Sequence, residues 1–336
     1  MRRPELDLCR GIACLAVVLI HTVMLFWDFD PASPVWAVWN FLSLAVRFGV
    51  PLFFMLSGAL LLGRERLDFR RHLRRIGHLL LLFYVWSALC RGLDACCGRV
   101  WTDGTPLPLQ ILQGYYHLWF LPALSLCCCA LPLLHGLLHR DRENLRRGAL
   151  LLAGAALVSA LSLLPGLPLW LRALLSPYAP KRFFYLGYLL LGALLAKHRL
   201  SVRALWLLGL AALAALLFFA RLNRLAALEA GAAVELWYGY LTPPAALSAC
   251  FVFALCRHLE PWAQRHAEAL QTLSDCTLGV YLLHPLLIDL LRGSGFAFGA
   301  HSALWLFPLC TLCFTLLPLG LTLIMKRIPG LKRLVT

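Results

Sequence analysis

The sequence predicts an all-α fold: a polytopic transmembrane helix bundle of about ten spans, with both termini cytoplasmic. Three observations carry this. The 336 residues are 61% hydrophobic with a mean hydropathy of +0.77, well above the roughly 45–50% apolar content of soluble domains. The apolar residues gather into runs long enough to cross a bilayer. The basic residues gather between those runs, and unevenly.

The runs lie at roughly 8–27, 35–62, 76–93, 116–138, 147–165, 182–198, 202–220, 236–257, 274–292 and 302–325. The second is overlong and holds Val50-Pro51, where the missing donor and the ring clash one turn back predict a break. The fourth opens with Tyr115, Tyr116 and Trp119, as an interfacial aromatic belt does. The sixth and seventh are joined so closely that they form an antiparallel hairpin. Only about ten residues follow the last run, so a single membrane domain over 1–336 is expected, with no appended soluble domain. With the N-terminus inside, cytoplasmic segments hold 21 Lys and Arg against 8 outside; cytoplasmic loops of membrane proteins carry such an excess.

Composition also excludes some functions. The net charge of +15 falls in inter-span clusters, which is topology rather than a nucleic-acid footprint. Arg2-Arg3 before an apolar run resembles a secretory signal, yet Asp28-Phe-Asp-Pro follows where a small-residue cleavage site is wanted. The first span is therefore expected to stay uncleaved. Thirteen cysteines sit mostly inside apolar runs; Cys127 to Cys129 and the Cys310/Cys313 pair lack the four converging ligands of a zinc site and read as packing. The vicinal Cys96 and Cys97 are not expected to bridge.

The stretch Leu6 to Trp27 is the one around which the chain is organised. It is apolar, yet it carries Asp7, Arg10 and His21. Asp7 and Arg10, three apart, share a helix face and are expected to pair. Arg10 and His21 are eleven apart, about three turns, so they return to nearly that face, separated by a rise of roughly 16 Å. This places one cation near the helix start and one imidazole at mid-span. Ionisable groups inside a membrane are unfavourable unless they face protein or a wet cavity, and they mark function. Further polar positions recur: the basic stretch from Phe69 to His78, with Arg71, Arg74 and Arg75; His117 and Trp119 at the start of the fourth run; and Tyr281 with His284 on one face of the ninth, before Pro285.

Together these words resemble the membrane-bound acyltransferase-3 family over nearly the whole chain. The carrying motifs are LDLCRGIACLAVVLIH from Leu6 to His21, which contains Arg-x10-His, then VPLFFMLSG, HLWFL, GYLLLG and YLLHP. Their order and spacing across the spans is more specific than any one of them. One departure is His72, where many members carry a second arginine. The resemblance implies an acyltransferase that moves an acyl group, most often acetyl, from a cytoplasmic donor such as acetyl-CoA. The acceptor is a hydroxyl of a lipid-linked or surface glycan, reached from a bacterial inner membrane. It implies His21 as the catalytic base or acyl relay, with Arg10 and Asp7 beside it. Arg71, Arg74, Arg75, His117, Trp119, Tyr281 and His284 become candidates for binding donor and acceptor. No permanently bound cofactor, no metal and no nucleic-acid partner is expected. The rival reading is a transporter or flippase of a glycan or lipid precursor, which favours internal repeats and paired broken helices; no repeat is visible. A sensor without chemistry has no use for an imidazole aligned with an arginine inside the bilayer.

Overall fold

The computed structural model describes residues 2–26, 30–97, 104–232, 234–294 and 303–336. Trp27, the Asp28-Phe29 that argue against cleavage, and His301 lie outside the described residues. Every regular element among those described is a helix. In chain order they are α1 (Pro4–Val23), α2 (Pro34–Ala45), α3 (Gly49–Leu61), α4 (Phe69–Cys96), α5 (Leu107–Gln113), α6 (Phe120–His139), α7 (Arg142–Leu161) and α8 (Leu169–Leu175). Two 3₁₀ turns, Ser176–Tyr178 and Pro180–Tyr185, then lead into α9 (Leu186–Lys197). The remainder are α10 (Val202–Ala230), α11 (Pro243–His258), α12 (Glu260–Arg265), α13 (Ala267–Ser274), α14 (Thr277–Gly293), α15 (Ala303–Met325) and α16 (Pro329–Val335).

Seven helices among the described residues are long and apolar enough to cross a membrane, counting Pro34–Leu61 as one. The pair α13 and α14, bent by 52° at its break, makes up to eight. The expected sixth and eighth spans correspond to α9 and α11, of 12 and 16 residues, shorter than the roughly 20 residues of a straight crossing. The α10 helix shows why a bilayer is needed. Its Trp206, Leu207, Leu210, Leu213, Leu217 and Phe218 are all exposed on the protein, a large apolar face that only lipid or a partner can cover.

Local chemistry sets the ends. Ser33 caps α2, with Pro34 at its first position, where no helical donor is required. Asp68 accepts from the Arg71 backbone N–H at 3.0 Å, and Asp141 accepts from Glu143 and Asn144 at 3.1 Å. Those backbone donors hold both carboxyls below their ordinary range. The break in the second run falls at residues 46–48, between α2 and α3. It lies a turn before Pro51 because the ring excludes the carbonyl four residues back, that of Arg47.

The chain divides into two compact units, Met1–Ser57 with Leu191–Thr336, and Gly58–Leu190. In the first, α1 packs on α2, α11, α12, α13, α14 and α15, while α10 lies on α2 and α11. Its core joins Cys14 and Val18 of α1 to Val280 and Ile288 of α14 and Phe314 of α15. In the second, α6 packs on α4 and α7, and α5 on α8. Here a Cβ on Gly58 would collide with the Leu189 backbone, so the small residue lets α3 and α9 touch. The His72 Nε2–H donates to the Cys128 carbonyl at 2.9 Å, and His135 donates to that of Arg64 at 3.0 Å. His72 is thus a buried tie from α4 to α6. His135, which reads in the sequence as an ordinary interfacial residue, is also buried.

The charge asymmetry predicts the sidedness. Reporter fusions at the N-terminus and after Arg333 read cytoplasmic, and one after Cys97 reads external; an external signal at either terminus contradicts the topology.

Candidate functional site

Helix α1 meets α13 and α14 in a parallel register. The Arg10 Nη1 donates to Ser274 Oγ at 2.9 Å, and the Cys14 thiol approaches the Thr277 carbonyl at 3.6 Å. Val18 and Val280 share a core cluster, and the rings of His21 and His284 lie 5.2 Å apart at 48°. The partner sits 262 to 264 positions further on each time. Two helices with the same rise keep such an offset only when they run side by side in one direction. Arg10 and His21 do therefore share the face that the eleven-residue spacing implies. His21, however, occupies the last turn of α1 and not its middle. The helix begins at Pro4 and stops at Val23, earlier at both ends than hydropathy indicates.

The tight partner of Asp7 also differs from expectation. Arg2 Nε donates to Asp7 Oδ2 at 2.7 Å, whereas Arg10 lies at 3.9 Å. Arg2 further reaches Asp275 at 2.7 Å. Arg10 is instead held by Ser274. Beside this lies a second network that the sequence reading missed: buried Glu5 accepts from Arg3 at 2.8 Å and from Arg257 at 3.1 Å. The two networks fix the start of α1 to α11 and to the α13–α14 break.

His284 is fully buried, and the word His-Pro explains its setting. Pro285 lacks the N–H that would bond the Tyr281 carbonyl. The His284 ring turns back on this stretch, and its Nδ1–H donates to the Val280 carbonyl at 2.9 Å. A carbonyl can only accept, so in neutral His284 the lone pair sits on Nε2. Tyr281, on the same helix, is buried as well.

The other candidates belong to the second unit. Arg71, Arg74 and Arg75 lie on the first two turns of α4 and not in a loop, exposed, while His72 and Ile76 on the same turns are buried. His117 is buried beside Tyr115 and Tyr116, at 5.6 and 5.3 Å between ring centroids. Arg91 stands over Tyr115 at 5.1 Å and donates to the Gly114 carbonyl at 3.0 Å. Trp119 lies under Arg182 at 4.7 Å and against Tyr185 at 5.5 Å. Arg75 and Arg91 are both on α4, so the basic face and this cationic, aromatic cluster stand about 24 Å apart along one helix. Among the described residues no three His, Cys, Asp or Glu side chains converge as a metal site.

A family model described as an acyltransferase domain, that of the acyltransferase-3 family, matches residues 3–326. Comparison with curated proteins and with solved structures finds no match.

Replacing Asp7 by Asn leaves Arg2 and Arg10 facing a neutral amide. The expected loss is about 1 kcal/mol, small because Arg2 is partly exposed, or roughly 2 °C in the unfolding midpoint. Thermal unfolding in detergent reads this; an unchanged midpoint contradicts the tie.

Proposed function

The chain belongs to the acyltransferase-3 family, and on that premise we propose that it moves an acetyl group from a cytoplasmic acyl-CoA to a hydroxyl of a lipid-linked or surface glycan, as a multi-pass protein of a bacterial inner membrane. The observation that carries the reading is the facing pair of imidazoles, His21 and His284, on apolar helices. An acceptor hydroxyl cannot ionise freely near neutral pH, so its proton must leave as the acyl carbon is attacked. Imidazole, with an unperturbed pKa of about 6.5, suits that transfer.

In this reading His21 is the base and His284 orients it. The Nδ1–H of His284 is already engaged with Val280, so its Nε2 lone pair can receive an N–H from His21. The other nitrogen of His21 is then the one that takes the hydroxyl proton. A nucleophile, a base and a group that aligns the base is the usual arrangement for acyl transfer. Arg10 and Asp7 keep α1 in register and act on the base through position alone. Arg71, Arg74 and Arg75 bind the phosphates of the donor, which guanidinium groups grip in bidentate fashion. Trp119 and His117 offer a ring and a polar edge to the acceptor sugar, and Tyr281, on the helix of His284, is a further candidate for holding substrate. The family match does not favour a transporter.

The test uses purified protein in vesicles with labelled acetyl-CoA and a glycan acceptor. Mass spectrometry is expected to find one acetyl ester gained per CoA released. Neutralising Arg74 and Arg75 together raises KM for acetyl-CoA about tenfold or more and changes kcat less, as loss of ground-state binding does. An unchanged KM in a correctly inserted variant reduces the cluster to a topology signal; CoA release with no acceptor ester removes the transferase reading.

A further inference from the structure

Arg47 occupies the break between α2 and α3, inside the apolar run Pro34–Leu61. Its polar contacts are all neutral. Nη2 donates to Ser43 Oγ at 3.3 Å and Nη1 to the Tyr240 hydroxyl at 3.4 Å. The guanidinium lies over the rings of Tyr238 and Tyr240 at 5.2 and 5.5 Å. Among the described residues no carboxylate comes within ion-pair distance of it, and its Nε is buried without a hydrogen-bond partner. Four other arginines of this unit do have carboxylate partners: Arg2 and Arg10 in Asp7, Arg257 in Glu5, Arg292 in Asp289. Charges within a membrane normally pair with one another, so an unmatched cation there is a seat for an anion.

The seat is built and not incidental. The Tyr238 hydroxyl donates to Asn40 Oδ1 at 2.6 Å, Asn223 Nδ2 donates to the same oxygen at 3.0 Å, and Asn40 Nδ2 donates to the Ala220 carbonyl at 2.8 Å. This buried network fixes the ring beneath Arg47 to α2 and α10. The break itself packs on α1: Val46 lies with Ala16 and Ile20, and Phe48 and Tyr240 close over them. Arg47 is thereby held at the depth of the turn that carries His21.

We propose that Arg47 holds the oxyanion formed at the acyl carbonyl during transfer. The inference rests on the acyltransferase function proposed for the chain. As the acceptor oxygen bonds to the acyl carbon, its proton passes to His21. The carbonyl π electrons move onto oxygen, where an Arg47 N–H donates to the new alkoxide. When the adduct collapses, the C=O bond re-forms and the C–S bond breaks. The leaving thiolate takes the proton from the His21 imidazolium, giving an ester and a free thiol with no net oxidation. One guanidinium matches a single transient charge, whereas a standing pyrophosphate calls for a cluster such as Arg71, Arg74 and Arg75.

The experiment compares initial rates of wild type, Arg47→Gln and Arg47→Lys as purified protein in detergent, with acetyl-CoA and the glycan acceptor. Losing an oxyanion donor typically lowers the rate about 10²–10³-fold. Arg47→Gln is therefore expected to lose that much in kcat while KM for both substrates stays within about threefold. Arg47→Lys keeps the charge and retains more of kcat than Gln. Added methylguanidine restores part of the rate of Arg47→Ala. A kcat for Arg47→Gln within a few-fold of an active wild type overturns this inference alone. So does a pure KM effect, or a lowered unfolding midpoint with no methylguanidine rescue, which marks a loop anchor. If Arg47→Gln fails to accumulate, the Lys variant decides: full kcat with a raised KM overturns the inference. An inactive wild type overturns the transferase reading and this inference with it.

Discussion

The parallel docking of α1 on α13 and α14 is the constraint on which the rest of the site depends. Most of its free energy comes from apolar packing around Val18, Val280, Ile288 and Phe314; interhelical polar contacts in membranes average only about 0.6 kcal/mol each. The polar contacts serve a different purpose. A purely apolar seam tolerates a slip of one turn, whereas Arg10 on Ser274 and Arg2 on both Asp7 and Asp275 do not. That register is what places His21 opposite His284. The bend between α13 and α14 lets one partner element serve both ends of α1: its first part meets the charged start and its second part the imidazole.

Charge in this protein falls into two kinds. Glu5, Asp7 and their arginines are neutralised pairs that fix helices. Arg47 over its tyrosines and the exposed basic face of α4 are of the other kind. In the proposed reaction their matching anion belongs to a substrate or to a transient state. The separation is physical. A permanent cation within a bilayer is stable only where neutral donors, rings or water soften its burial, and such a place is also where a passing negative charge gains most.

Much of this is legible in the chain. Hydropathy finds the apolar runs, and the eleven-residue spacing places Arg10 and His21 on one face, because helical periodicity is local. The His-Pro word of the ninth run also proves informative, for a reason that lies in backbone bonding. Other features depend on tertiary context. No local pattern tells that Asp7 prefers Arg2 over Arg10, since the choice turns on Asp275, far along the chain. His72 and His135 become buried ties only when α6 is folded beside them. The extents of α1, α4 and α11 differ from the hydropathy runs because capping and proline, not apolarity, set where helices stop. Arg47 left a signal in the sequence, a lone arginine inside an apolar run beside Gly49 and Pro51. Its meaning needed the tyrosines from a loop almost two hundred residues away.

The central claim is that His21 takes the acceptor proton. The direct measurement is the acetylation rate of His21→Gln at matched protein level and insertion. Glutamine keeps the size and much of the hydrogen bonding of histidine but has no basic nitrogen. General base catalysis contributes about 10²–10⁴-fold, so the account predicts a fall of at least a hundredfold with acetyl-CoA binding preserved. A His21→Gln protein that keeps most of the wild-type rate contradicts it and makes His21 a packing residue of α1.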